Sequence, residues 1–330
     1  MANERAPVIW AVSDGRAGMR SQALGLAEAV ARLTGGRVLE KVVSVRRPFA
    51  WLPGRFWGDP LRRLAPGSAA FVPPWPAAAV LCGRLTVPFG IALADRTLTV
   101  QTQDPRADPS RFGLVVAPRH DRLSGENVVS IHGSPNRLTQ ARLDEDAGKL
   151  GAALPPLPRP LAAVLIGGDS KAYRLNEAAA DAIGLLLARA SRTHGLLVTF
   201  SRRTPREGRA RIEDALSGLP AWVWDGEPIG GLANPYFGLL GLADRVLVTE
   251  ESANMVTEAA FTGKPVHLLP LVGGAPKWRR FHAALEERGV LQPEASFTEA
   301  WTYAPLRETE RAARAVADEM RRRGVWNEGG

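Results

Sequence analysis

The segment RVLVTEESANMVTEAAFTGKP, residues 245–265, has the spacing that a phosphate and a ribose can use together. Its apolar run predicts a strand ending at Thr249. A helix follows from about Ser252, whose hydroxyl can cap the first turn while the free amides attract an anion. Glu258 lies nearly two turns further along, where a carboxylate can accept both hydroxyls of a ribose whose phosphates sit at the helix start. Gly263 and Pro265 then stop the helix and open the next strand. In LIGGDSKAYRL, Gly167 and Gly168 permit a tight turn and close backbone approach, and Asp169 or Ser170 can cap a following helix. Ser201-Arg202-Arg203-Thr204 sets an arginine pair just beyond the run LLVTF, suited to clamping a diphosphate. Asn234-Pro235 starts a helix, with Asn as cap and Pro as first residue, and leaves Tyr236 to contact a base or ribose.

The first half of the chain offers different chemistry. SDGRAG joins the first apolar run to the first helical pattern and would make a phosphate cradle were it not for Asp14, whose charge repels phosphate. Asp14 instead suits hydrogen bonding to a sugar hydroxyl or general-base work, as does His120 in PRHD, where Asp121 can orient the imidazole. His132 adds a third polar side chain after a strand. Cys82 closes the run AAAVLC and reads as a small buried hydrophobe. No HExxH, His-Cys cluster or close carboxylate set points to a catalytic metal, and no cofactor is implied beyond a nucleotide-sugar substrate. Residues 46 to 67, RRPFAWLPGRFWGDPLRRLAPG, interleave arginines with Phe49, Trp51, Phe56 and Trp57. That is the composition of a segment at an anionic membrane interface, with residues 46–64 as the contact, or else of a loop whose aromatics pack inward.

The elements that must position these residues follow from apolar patterning. Short apolar runs at 8–12, 78–82, 97–101, 113–117 and 127–131 alternate with helical patterns, beginning with a helix near Ser21 to Leu33 that ends at Gly35-Gly36. This succession implies a mainly parallel sheet. The stretch ALPPLPRPL, with four prolines in nine residues, reads as an extended linker. The alternation then restarts with LAAVLI, helices near 176–190, 205–217 and 252–262, and the runs LLVTF, WVW, RVLVT and PVHLL. The expected organisation is a 1–153 Rossmann-like acceptor-side domain, a 154–160 linker, a 161–305 Rossmann-like nucleotide-sugar domain, and a 306–330 helix packing back. In open parallel sheets ligands lie beyond the carboxyl ends of the strands. Nearly every run here ends in a polar, glycine or arginine loop, so two such rims facing a cleft are expected.

Composition narrows the partners. The net charge is +8, from 42 Lys+Arg against 34 Asp+Glu, which favours phosphates, acidic substrates or an anionic membrane surface. No zinc-ligand set, RNA-binding aromatic motif or long basic run supports nucleic-acid binding. A single cysteine fits a reducing, cytoplasmic setting, and the first residues are too short an apolar run for a signal peptide. No apolar stretch approaches membrane-spanning length, so membrane contact would be peripheral, on the inner face.

Six stretches, SDGRAGMRSQALGLAE, QTQDPR, APRHD, LIGGDSKAYRL, SRRTP and NPYFGLLGLADRVLVTEESANMVTEAAFTGKPV, occur in order along most of the chain. On them the chain resembles the mitochondrial-fission (elongated-mitochondria) family and its bacterial relatives. The resemblance implies a GT-B glycosyltransferase-like architecture. Its T-x-E-S-x-x-M-x-x-E-A-x-x-x-G-K-P segment is similar to the donor-binding segment of the N-acetylglucosaminyltransferase that forms lipid II and of the nonhydrolysing UDP-N-acetylglucosamine 2-epimerase. It implies that Ser252, Met255 and Glu258 face the nucleotide, and leaves open whether Glu250 or Glu251 does. No reaction is implied; the plant members are known through mitochondrial division at the outer membrane. Three functions fit. The first is a glycosyltransferase with Asp14 or His120 as base, Arg202 and Arg203 stabilising the leaving diphosphate, and a membrane- or envelope-linked acceptor. The others are a sugar-nucleotide epimerase, and a non-catalytic membrane-associated interaction module.

Overall fold

Runs of β-branched and small apolar residues form strands buried on both faces, which is why they read as continuous rather than alternating. The computed structural model describes residues 6–327; positions 1–5 and 328–330, at the outer ends of the expected domains, lie outside them. The chain divides into one unit of Met1–Arg137 with Arg307–Gly330 and another of Leu138–Leu306.

In the first unit, β1 (Val8–Ser13), β2 (Arg37–Val42), β3 (Ala78–Cys82), β4 (Leu98–Thr102), β5 (Leu114–Pro118) and β6 (Val128–Ile131) form a parallel sheet in the order β2-β1-β3-β4-β5-β6. Helix α1 (Ala17–Thr34) packs Ala23, Leu26, Ala27 and Val30 on it and closes at Gly35, in the left-handed conformation with φ 64°. The short helix α2 (Val87–Leu93), not foreseen in the sequence, opens with Pro88 in its first turn.

The second unit begins earlier than expected. Helix α3 (Gln140–Ala153) buries Leu143 and Leu150 in the same core as Leu239 and Leu240 of α6 (Tyr236–Leu242). The two backbones approach because Gly238 and Gly241 face α3: a Cβ on Gly241 would lie 2.5 Å from the Leu143 carbonyl oxygen. The proline run therefore lies inside this unit rather than between domains, leading from α3 into β7 (Leu161–Ile166), and the Pro158 and Pro160 carbonyls accept from the Gly195 amide, each at 3.0 Å.

There follow β8 (Tyr173–Arg174), α4 (Glu177–Ala190), β9 (Gly195–Phe200), α5 (Arg206–Leu216), β10 (Ala221–Val223), β11 (Arg245–Thr249), α7 (Ala253–Phe261), β12 (Val266–Leu269), β13 (Val272–Gly273) and α8 (Pro276–Glu286). Four of these strands join β7 in a parallel sheet of order β10-β9-β7-β11-β12, and β8 pairs with β13 as a separate antiparallel ribbon. Helix α9 (Glu308–Arg322) returns to the first unit, as expected of a helix packing back. It sets Ala312, Val316 and Met320 among the α1 side chains, while Glu308 accepts from the His132 amide at 2.9 Å.

Candidate functional site

Three neighbouring strands, β9, β7 and β11, deliver their following loops side by side at the carboxyl edge of the second sheet. Gly167 and Gly168 sit in the middle. The Gly167 amide donates to Thr249 Oγ1 at 2.8 Å and the Gly168 amide to Glu251 Oε1 at 3.0 Å. A Cβ on Gly167 would lie 1.8 Å from that same carboxylate oxygen, and one on Gly168 would lie 2.1 Å from the Arg203 carbonyl oxygen. The glycine pair is thus required by loop-to-loop packing. Asp169 and Ser170 do not cap a helix as expected, because the ribbon strand β8 intervenes. Asp169 Oδ1 accepts from the Leu175 amide at 3.0 Å, Ser170 Oγ accepts from the Tyr173 amide at 3.1 Å, and Asn176 caps α4 instead.

From β9, the Ser201 hydroxyl accepts from the Arg203 amide at 3.2 Å and lies 3.3 Å from the Thr204 hydroxyl, which donates to the Gly167 carbonyl. The arginine pair divides its work. Arg203 donates to Glu251 Oε1 at 3.0 Å, whereas Arg202 is exposed and forms no ion pair among the described residues.

Beyond β11, Ser252 caps α7 as expected, its hydroxyl accepting from the Met255 amide at 3.4 Å. Met255 is half-buried on the core of this unit. Glu258 is not a solvated helix residue: it is 7% exposed, and Tyr236 donates to its Oε2 at 2.8 Å. Burial pushes the Glu258 carboxyl up to about 7, against the downward pull of that hydrogen bond, and the Tyr236 phenol is raised as well. Asn234 accepts from the Tyr236 amide at 2.9 Å, so the helix starts one residue later than the Asn-Pro pattern suggests, with Pro235 as its cap residue.

The two adjacent carboxylates are distinct. Glu251 is turned inward onto Gly168 and Arg203, while Glu250 turns aside to the Leu271 amide at 2.8 Å and the Tyr173 hydroxyl at 3.4 Å. Burial raises both. Thr249, expected only as the end of its strand, holds the Gly167 amide, and Tyr173 had no signal in the sequence. Lys264 of the GKP triplet serves α6, donating to the Leu240 and Gly241 carbonyls at 2.8 and 2.7 Å.

In the first unit, Asp14 and His120 follow β1 and β5 on one sheet edge, separated by two intervening strands, or about 14 Å. The Asp14 carboxylate accepts from Arg16 Nε at 2.9 Å, and Asp121 Oδ1 lies 3.7 Å from His120 Nε2. Cys82 is buried, and desolvation pushes its thiol up to about 12, in keeping with a packing role. On the same edge Gln103 of QTQDPR, in a left-handed conformation at φ 69°, donates to Gln22 Oε1 at 3.0 Å. Among the described residues no group of three or more His, Cys, Asp or Glu could hold a metal ion, and no helix is long and apolar enough to cross a membrane.

A family model described as "Mitochondrial fission ELM1" matches residues 17–320. The mitochondrial fission protein ELM1 of Arabidopsis thaliana is 29% identical over 288 residues, covering 76% of this chain and 65% of that one. An uncharacterized protein of Rickettsia prowazekii is 26% identical over 204 residues, covering 60% and 57%. The chain thus spans less than two thirds of the length of these curated relatives. Among solved structures, the UDP-GlcNAc 2-epimerase of Methanocaldococcus jannaschii aligns with a TM-score of 0.50 at 10% identity, over 94% of this chain and 99% of that one. The likeness is one of fold, the GT-B-like pair of Rossmann-like units.

Proposed function

The chain belongs to the mitochondrial fission ELM1 family, and from that premise we propose that its second unit binds a nucleoside-diphosphate sugar at the carboxyl edge of β9, β7 and β11. One observation carries this reading: helix α7 opens at that edge under the Ser252 cap and, on the same helix, holds the buried Glu258–Tyr236 pair. A capped helix start presents free amides to a phosphate, and a carboxyl held near neutrality is a strong acceptor for paired ribose hydroxyls once ionised. Keeping such a group buried opposes stability, which favours a role in ligand binding over one in packing. Exposed Arg202, which forms no ion pair among the described residues, meets the second phosphate, while Arg203 holds Glu251 in place. Met255 supplies apolar surface beside the cap.

The reaction proposed is sugar transfer. In this reading an acceptor hydroxyl replaces the diphosphate at the sugar's anomeric carbon, giving its proton to a general base, and Arg202 stabilises the diphosphate as it leaves. No metal is needed in this scheme. The epimerase fold likeness makes UDP-N-acetylglucosamine the first ligand to test. Calorimetric titration of the full chain should give saturable binding that Glu258→Ala weakens at least tenfold; heats indistinguishable from dilution across the common sugar nucleotides would sink the proposal. Proton NMR of one sugar nucleotide without acceptor should show no new sugar, and appearance of an epimer would replace transfer by epimerisation.

A further inference from the structure

Three large apolar side chains stand exposed next to one another in the first unit: Trp51 at 69%, Phe56 at 58% and Leu52 at 36%. All six residues from Trp51 to Phe56 are exposed, yet the segment is held firmly. Trp57, 1% exposed, plugs into the core edge-on to Phe89 at 5.9 Å, and its indole N–H donates to the Leu52 carbonyl at 3.2 Å. The Trp51 and Phe56 amides close turns onto the Pro48 and Pro53 carbonyls, each at 3.0 Å. The Gly54 backbone lies against Pro88 of α2, where a Cβ would come within 2.6 Å of the ring, and Arg84 donates to the Ala50 carbonyl. The aromatics therefore split: Trp57 anchors, Phe49 is half-buried under Arg63, and Trp51 and Phe56 are displayed.

The displayed rings carry cations. The Arg47 guanidinium lies 5.0 Å from the Trp51 ring centre and that of Arg55 lies 4.8 Å from Phe56. Residues 46–64 hold five arginines against a single acid, Asp59, which Arg62 engages at 3.3 Å. Arg84 joins this projection to the carboxyl edge of the first sheet, where exposed Arg106, Arg119 and Arg122 occupy the loops after β4 and β5 without an ion pair among the described residues.

We infer that the projection Trp51–Phe56 is a docking site for an anionic phospholipid surface. Aromatic rings with arginines over their faces put apolar surface at the level of the acyl chains and guanidinium groups among the phosphates. Charge of one sign fits a continuous anionic plane. A run of six residues is far smaller than the roughly 20–30 residues a side of a stable protein interface, which favours a lipid surface over a protein partner. The inference is independent of the nucleotide reading, since none of these residues belongs to the second unit.

The test is co-flotation of the full chain with phosphatidylcholine vesicles, with and without phosphatidylglycerol, at low and high salt. The chain should float with the anionic vesicles at low salt and not with the neutral ones. The double variant Trp51→Ser/Phe56→Ser should lose binding by tenfold or more while keeping the wild-type melting temperature, because both side chains are already solvated. Arg47→Gln/Arg55→Gln should lose about fivefold per arginine removed. Failure of the wild type to float with anionic vesicles at low salt overturns the inference. So does wild-type binding by the Trp51/Phe56 variant, which would mark plain polyanion attraction.

Discussion

Replacing Glu258 by glutamine should stabilise the protein, and by an amount that depends on pH. The carboxyl is held at about 7 in the folded chain against an ordinary 4.5. An acid with a raised folded pKa favours the folded state fully below its unfolded value and loses that contribution as pH rises through the folded one. The whole shift, about 2.5 units at 1.36 kcal/mol each, is worth roughly 3 kcal/mol. About 2 kcal/mol of it disappears between about pH 5.5 and pH 8. Glutamine keeps an acceptor for Tyr236 and has no proton to lose. The gain in melting temperature of Glu258→Gln over wild type should therefore be about 4–8 °C larger at the higher pH for a unit of this size. Differential scanning calorimetry at the two pH values reads this directly. An equal effect at both, or a variant destabilised more at the higher pH, would refute the assignment of a buried, partly protonated carboxyl. The same residue links protons to ligand: ribose hydroxyls favour the ionised form, so nucleotide affinity should rise with pH up to about 7 in the wild type and stay flat in the variant.

Further outcomes follow from the loop edge. Gly167→Ala forces Glu251 off the Gly168 amide and Arg203, costing about 3 kcal/mol; an unfolding free energy from urea titration within about 0.5 kcal/mol of wild type would show that the loops yield instead. Arg202→Ala should weaken nucleotide binding about tenfold with an unchanged melting temperature, whereas Arg203→Ala should lower both, because Glu251 loses its cation; paired titration and melting measurements separate them. Arg245 donates to His194 Nε2 at 2.9 Å and lies 3.0 Å from His267 Nε2, and burial first, then Arg245, pushes His267 down to about 4. A base with a lowered folded pKa takes up fewer protons folded than unfolded, so stability should fall as pH drops from about 6.5 to 4, by roughly 3 kcal/mol, and His267→Asn should flatten that slope in denaturant titrations.

The strands and the α7 start were legible because their signals are local: a run of apolar residues, a serine at the junction, a glycine after the last turn. What the sequence hid was contact between distant segments. Gly238 and Gly241 matter through the backbone of α3, a helix absent from the sequence reading, so the unit boundary was placed at the prolines rather than after Arg137. Asp169 and Ser170 looked like caps because the two-residue strand β8 is too short to show a period. Which of Glu250 and Glu251 turns inward depends on Gly168 and Arg203, more than forty residues away. The segment 46–64 mixed both of its readings, since one tryptophan is core and its neighbour six residues earlier is surface.

The most direct test of nucleotide binding at this edge is hydrogen–deuterium exchange of the full chain with and without UDP-N-acetylglucosamine. Nucleotide binding at this edge should protect the loops after β7, β9 and β11 and the first turns of α7. Absence of any protection, or protection confined to other segments, would contradict it.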